Sequence, residues 1–439
     1  MRGWAQTPRS RPARARNRRP WLTAAIAVVL VAPGVRAARA EVVFELIPDL
    51  ALGVSENGVR RQPTVRDEFV TAGVGSQLRY SGARVTHALG NRLSFSHFFE
   101  GRGTDTTTDA LTWLSTWQPV AALQLRLSAS AAVSRVSAVD PGDLSATSTT
   151  AAVAGSSQFL STTASEAVRW EPSARFALLE SVTVGRVDFL PRREELPTTT
   201  LISGQLRAER LAALDTVYLD ARLSDSYAST TELNVGTFSE GHNLVGQLLL
   251  GWRRQLSAFW SSELQGGPLI LFRPSGDAIL SPSGLASLNY QAMARGTPWF
   301  ATVSLSRTPA ANLFLGEATI TDQLLARLAL PLDRRQTLFV TGFAAYLYAR
   351  QVGSDLGSTR LFDQITAGAA LTARMSRKPF FASLAYTVVD QRGSTFFVQR
   401  GNVQEPRLLQ DLVRRTLLLS AGAAFAWGPG TPQFFGGAP

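Results

Sequence analysis

The sequence predicts an all-β fold: a transmembrane antiparallel up-and-down β-barrel of about 18 strands (roughly 16–18), preceded by a cleaved signal peptide. Three observations predict it. The N-terminus has the build of an export signal. No later segment approaches the length of uncharged apolar chain that a helical span needs. The remainder alternates in period-two stretches separated by polar breaks.

At the N-terminus, seven arginines lie between Arg2 and Arg19, and the apolar run Trp21 to Val31 follows. Ala38 and Ala40 place small residues at the two positions a signal peptidase reads. The run is too short to span a bilayer, so residues 1–40 are expected to be removed near Ala40, leaving Glu41 first. This segment also explains the charge. The formal net charge is +11, but nine arginines and no acidic residue fall in residues 1–40, which leaves about +2 for the rest. The high isoelectric point is therefore no argument for nucleic acid. Cysteine is absent, and a sheet closed on itself by backbone hydrogen bonds needs no disulfides.

From about Val42 onward the alternation carries the prediction. Val70, Ala72 and Val74 oppose Thr71, Gly73, Gln77 and Arg79. Leu123, Leu125, Leu127 and Ala129 oppose Gln124, Arg126 and Ser128. Leu206 and Ala208 oppose Arg207 and Glu209, and Val217, Leu219 and Ala221 oppose Tyr218, Asp220 and Arg222. Trp299, Ala301, Val303 and Leu305 oppose Thr302 and Ser304. One face suits lipid and the other a watery lumen. Thr337 to Arg350 alternates poorly.

Breaks of two kinds take turns. Short ones fall at Ser81-Gly82, Gln118-Pro119, Glu171-Pro172, Ala212-Ala213, Arg253-Arg254, Gly296 to Pro298, Asp333-Arg334 and Lys378-Pro379. Longer Gly/Ser/Thr/Asp-rich ones separate them, among them Asp140 to Thr150, Ser229 to Gly241 and Arg392 to Gln410. Short turns on one side of the membrane and longer loops on the other are the asymmetry of such barrels, and an even strand number puts both ends on the short-turn side. Trp117, Trp170, Trp252 and Trp299 abut short breaks. With Trp427 they would form an aromatic girdle at the periplasmic interface.

The barrel is expected to span residues 41–427, with 428–439 a short C-terminal tail. Its last strand ends in Ser420, Gly422, Phe425 and Trp427. Leu417, Leu419, Ala421, Phe425 and Trp427 share one face, and Ser420 and Gly422 the other. This pattern resembles the assembly signal that closes outer-membrane β-barrel proteins. Across nearly all its mature length the chain resembles bacterial outer-membrane β-barrel proteins. More loosely it is similar to the barrels of about 18 strands that serve exopolysaccharide export. The resemblance implies the outer membrane of a Gram-negative bacterium. It also implies lipid, lipopolysaccharide and the barrel assembly machinery as partners, no cofactor, and possible separate periplasmic export proteins.

Little in the sequence points to catalysis. The histidines are His87, His97 and His242. Enzymes built on this fold place a serine or an acid beside a histidine, and Ser96 and His97 fall on opposite faces of a strand. Three scattered histidines and no cysteine make no metal site. Function should therefore lie in the lumen. The residues expected to face it are Arg79, Arg126, Arg186, Arg207, Arg222 and Arg327, with Asp188, Glu209 and Asp220. The arginines would attract anions unless the acids neutralise them. The first expectation, taken from the looser resemblance, is a channel for polysaccharide export. A passive porin with mild anion preference is the alternative, and a structural or adhesive barrel without transport the second.

Overall fold

The computed structural model describes residues 41–59, 65–99, 105–136, 157–190, 198–229, 241–272, 278–294, 297–312, 317–333, 337–351, 360–375, 379–393, 395–400, 403–408 and 412–427. The expected signal peptide and the tail after Trp427 lie outside them. The chain forms β1 (Glu41–Val59), β2 (Val65–Ser81), β3 (Val85–Phe98), β4 (Thr106–Val120), β5 (Leu123–Val136) and β6 (Ser157–Ser173). Next come β7 (Phe176–Leu190), β8 (Thr198–Leu211), β9 (Asp215–Ser229), β10 (Gly241–Gln255), β11 (Trp260–Phe272) and β12 (Ala278–Ala294). The series continues with β13 (Thr297–Asn312), β14 (Glu317–Pro331), β15 (Leu338–Gln351), β16 (Arg360–Arg374) and β17 (Phe380–Gly393). It ends with β18 (Thr395–Arg400), β19 (Val403–Leu408), β20 (Leu412–Ala423) and β21 (Phe425–Trp427).

Each strand from β1 to β17 pairs antiparallel with the next, and β17 pairs with β20. The ring closes on β1. Leu50 lies opposite Ala72 of β2 on one side and Ala421 of β20 on the other. The sheet contains 19 strands; β20 and β21 are one wall strand interrupted at Ala424, so the barrel wall has 18. The register runs through the gap unshifted, from Asp49 opposite Gly422 to Phe44 opposite Trp427. The gap falls beside Pro48, which has no N–H for the ladder. β18 and β19 form a separate two-stranded hairpin between β17 and β20, inside a segment read as a loop from sequence.

Alternation assigns the faces. Leu50, Leu52, Leu219, Leu250, Leu280, Leu305 and Leu419 point outward, and they are strongly exposed, Leu250 by 64% and Leu280 by 72%. Such side chains around a whole circumference are untenable in water and natural in hydrocarbon. No helix among the described residues is long and apolar enough to cross a membrane; this chain crosses with strands closed into one antiparallel ladder.

The connections at one end are short: 82–84, 121–122, 174–175, 212–214, 256–259, 295–296, 332–337 and 375–379. Three turns lie later than the sequence suggested. Pro119 and Pro172 do not make turns. Each sits in a register irregularity at a strand end, between Trp117 and Val120 and between Trp170 and Ser173. A proline that cannot donate to the ladder is housed by a bulge there. Arg253 and Arg254 likewise remain in β10.

Candidate functional site

Inward side chains of β6 to β11 build a charged wall inside the barrel. Its centre is Asp220, fully buried. Arg207 Nη2 and Arg222 Nη2 each lie 2.7 Å from its Oδ2. Gln205 Nε2 donates to both carboxylate oxygens at 2.9 Å. A carboxylate without water needs this many donors, since burying it unpaired would cost several kcal/mol, on the order of 3–5. Arg207 also stacks on Tyr218, its guanidinium carbon 4.4 Å from the ring centre. Tyr218 donates its hydroxyl to Glu263 Oε1 at 2.7 Å, and Arg253 Nη2 lies 3.2 Å from the same oxygen. Glu209, also buried, takes Arg169 at 3.5 Å and Arg207 at 3.8 Å. Arg169 in turn donates to Glu171 at 2.5 Å. Arg169, Arg207, Arg222 and Arg253 thus meet Glu171, Glu209, Asp220 and Glu263, and the charges cancel.

Three other inward arginines are different. Arg79, Arg126 and Arg327 are exposed on the inner face of β2, β5 and β14. Arg79 donates to Gln77 Oε1 at 3.1 Å. None of the three has an acidic partner among the described residues. All lie within a few residues of the short-turn end of their strands.

The remaining inner wall divides by chemistry. Hydroxyls predominate on β3 to β6. Ser94 and Thr108 share a hydrogen bond, and Ser128 and Ser165 share one of 2.5 Å. On β13 to β17 the wall carries Phe300, Phe339, Phe343 and Phe381. Inward side chains are buried in the part nearest the long connections, at Ser55, Phe69, Phe98, Leu269, Leu271 and Leu347.

Two residues expected in the lumen stand elsewhere. Arg186 and Asp188 share the outward face of β7 with the exposed Val182 and Val184. They form a two-bond pair of 2.8 and 2.9 Å. Alternation misassigned them because it sends charge inward at every height. Near the end of a strand, where hydrocarbon gives way to headgroups, the outer face carries charge as well. Glu56–Arg415 and Arg307–Asp322 are further outward pairs toward the same end.

Trp117, Trp170, Trp252, Trp299 and Trp427 all face outward near the short-turn end. Trp260 joins them and was missed; the break assigned to Arg253-Arg254 hid that the turn, 256–259, ends directly before it. It contacts Tyr290 at 4.7 Å, and Tyr290 contacts Trp299 at 4.4 Å. At the seam, Trp427 stacks on Phe44 at 5.6 Å and on Phe425 at 6.0 Å. Ser420 and Gly422 face inward opposite Ala51 and Asp49.

The fold brings His97 within 3.0 Å of Asp105, a pair invisible in sequence. It lies exposed beyond the lumen. Ser96 points to the other face, where its hydroxyl meets Thr71 at 2.8 Å, so it does not join the pair. Among the described residues no three His, Asp or Glu side chains gather as a metal would need.

A closed 18-strand wall with an apolar exterior, a largely polar interior and an aromatic girdle defines a transmembrane β-barrel of the outer-membrane type. No protein-family model and no curated protein matches the chain. Solved structures with a similar barrel include outer membrane protein OpdK from Pseudomonas aeruginosa, at 9% identity and TM-score 0.40, over 88% of this chain and 99% of that one. OccAB3 from Acinetobacter baumannii aligns at 10% identity and TM-score 0.38, over 89% and 100%. The ferric citrate transporter FecA aligns at 10% identity and TM-score 0.37, over 86% and 78%. Likeness of this depth extends to barrel architecture alone.

Proposed function

We propose that this chain is a water-filled channel of the outer membrane that passes small hydrophilic solutes, with a preference for anions. The observation that carries the reading is the division among the inward arginines. Arg169, Arg207, Arg222 and Arg253 are neutralised by buried or half-buried acids and solvate the wall. Arg79, Arg126 and Arg327 stand exposed without an ion-pair partner, against Glu41 and Glu45 on the inner face of β1 at the same end, so among these residues the charge outside ion pairs near the short-turn mouth is three positive to two negative. A positive rim on a low-dielectric wall concentrates anions.

Export of polysaccharide finds no support. The test is planar-bilayer conductance of residues 41–439 under a salt gradient. Steady conductance with an anion-leaning reversal potential is the expected result. Replacing Arg79, Arg126 and Arg327 together by Gln should remove the lean and leave the conductance. A folded barrel that stays silent would overturn the channel reading in favour of a structural role.

A further inference from the structure

One cavity lies outside the barrel. It is a groove of about 700 Å³ across the outer face of β10 to β14. Its floor is the cross-strand pair Gly266 and Gly284. Leu250 lies opposite Gly266 on one side, and Arg307 lies opposite Gly284 on the other, followed by Asp322. The line from Leu250 to Asp322 crosses four strand spacings of about 4.8 Å. At a strand tilt of about 40° it climbs roughly 12 Å. Leu250 therefore lies deep in the apolar band and Arg307 near its long-loop boundary. The indole N–H of Trp252 donates to Asp215 Oδ1 at 2.9 Å, which fixes the lower wall.

Glycine on the floor has two origins. A Cβ at Gly284 would meet the Gln265 carbonyl oxygen at 2.6 Å, so that position is sterically bound to glycine. A Cβ at Gly266 would meet nothing nearer than 3.8 Å. Packing leaves room there for a side chain, and the space is part of the groove.

The polar end is under-satisfied. Arg307 Nε lies 3.3 Å from Asp322 Oδ1 yet is buried without a hydrogen bond. Arg186 and Asp188, on the same outer surface, make two good bonds. The Arg307 side chain is still 32% exposed, so its terminal nitrogens, not the buried Nε, are the donors that an anionic oxygen arriving from the headgroup layer would meet.

We infer that this groove seats one acyl chain of a phosphate-bearing glycolipid of the outer leaflet, with the phosphate on Arg307. The inference rests on the outer-membrane reading above. A flexible chain fills a concave apolar trough whose floor lacks side chains. A second copy would present a convex, leucine-covered barrel wall and no complementary ridge.

The test is native mass spectrometry of the folded barrel in mild detergent, offered lipid A or phosphatidylcholine. Wild type should retain one lipid A at least tenfold better than phosphatidylcholine. Gly266→Phe should lower that retention about tenfold, and Arg307→Gln should bring lipid A down to the phosphatidylcholine level. Gly246→Phe is the control, since Gly246 faces outward into open space outside the groove. Heat-modifiable migration verifies folding of each variant, and bilayer conductance of the same samples reports on the channel reading separately. Equal retention of both lipids by wild type, or unchanged retention in Gly266→Phe, overturns the inference. So does a dimer abolished by Gly266→Phe, which would place a second copy in the groove.

Discussion

The ring of Tyr218 lies directly on Gly251, its cross-strand partner. A Cβ at Gly251 would fall 2.0 Å from the ring carbon Cζ. The missing side chain lets the ring reach across β10, so that its hydroxyl meets Glu263 and Gln265 on β11 while Arg207 of β8 covers its face. The device recurs on the inner wall. Phe69 covers Gly53, Phe343 covers Gly368 and Phe381 covers Gly422, each ring opposite its glycine. Aromatic cover of this kind shields strand glycines that would otherwise weaken pairing.

Gly251→Val should therefore displace Tyr218 and lower the barrel's unfolding free energy by about 1–3 kcal/mol, as overpacking does. Gly246→Val, on the outward face of the same strand with no atom within 4 Å of its Cβ, should stay within about 0.5 kcal/mol. Urea unfolding in lipid vesicles compares them; equal losses would refute the packing account.

Asp220→Asn removes the shared counter-charge of Arg207 and Arg222. The expected outcome is a more anion-selective reversal potential, together with a loss of about 3 kcal/mol from leaving buried charge uncompensated. An unchanged reversal potential would show that the charged wall does not face the ion path.

Removal of residues 425–439 deletes the pairing of Phe425 and Trp427 with β1 and should abolish membrane insertion. Removal of 429–439 alone should not. Normal membrane levels of the first truncation would sink the assembly role of the closing pattern.

Asp105, in the connection before β4, is held below the ordinary carboxylate range by its hydrogen bond with His97 and by the Phe98 N–H. A depressed carboxyl stabilises the fold above its unfolded value and ceases to as pH falls through the folded one. Protection of the Phe98 amide against hydrogen exchange should fall once the pH drops below the ordinary carboxylate range, and in Asp105→Asn it should already be weak at neutral pH. Slow exchange in that variant would rule the tie out.

Much of the fold was legible because lipid outside and water inside impose a period of two. Leu123 to Ala129 and Val217 to Ala221 show it without ambiguity, and their outward placement follows the alternation. β15 did not show it, because its inner face, with Phe343, Ala345, Leu347 and Ala349, is as apolar as its outer one. Arg207, Glu209, Asp220 and Arg222 could be placed on the inner face, but not their partners. Arg169 and Glu263 come from strands whose register no local pattern reveals. The outer groove left no trace in sequence, since two glycines become a floor only when β11 and β12 bring them opposite.

The seam between β1 and β20 joins nearly opposite ends of the chain, Leu50 to Ala421. Such a closure has the highest contact order the molecule can offer, and the loop entropy must be lost before the last ladder repays it. Until then every partly formed sheet carries two bare edges, each able to recruit a strand from another molecule. This architecture therefore ties correct folding to a site where both edges can be held apart from other chains until the final strand arrives.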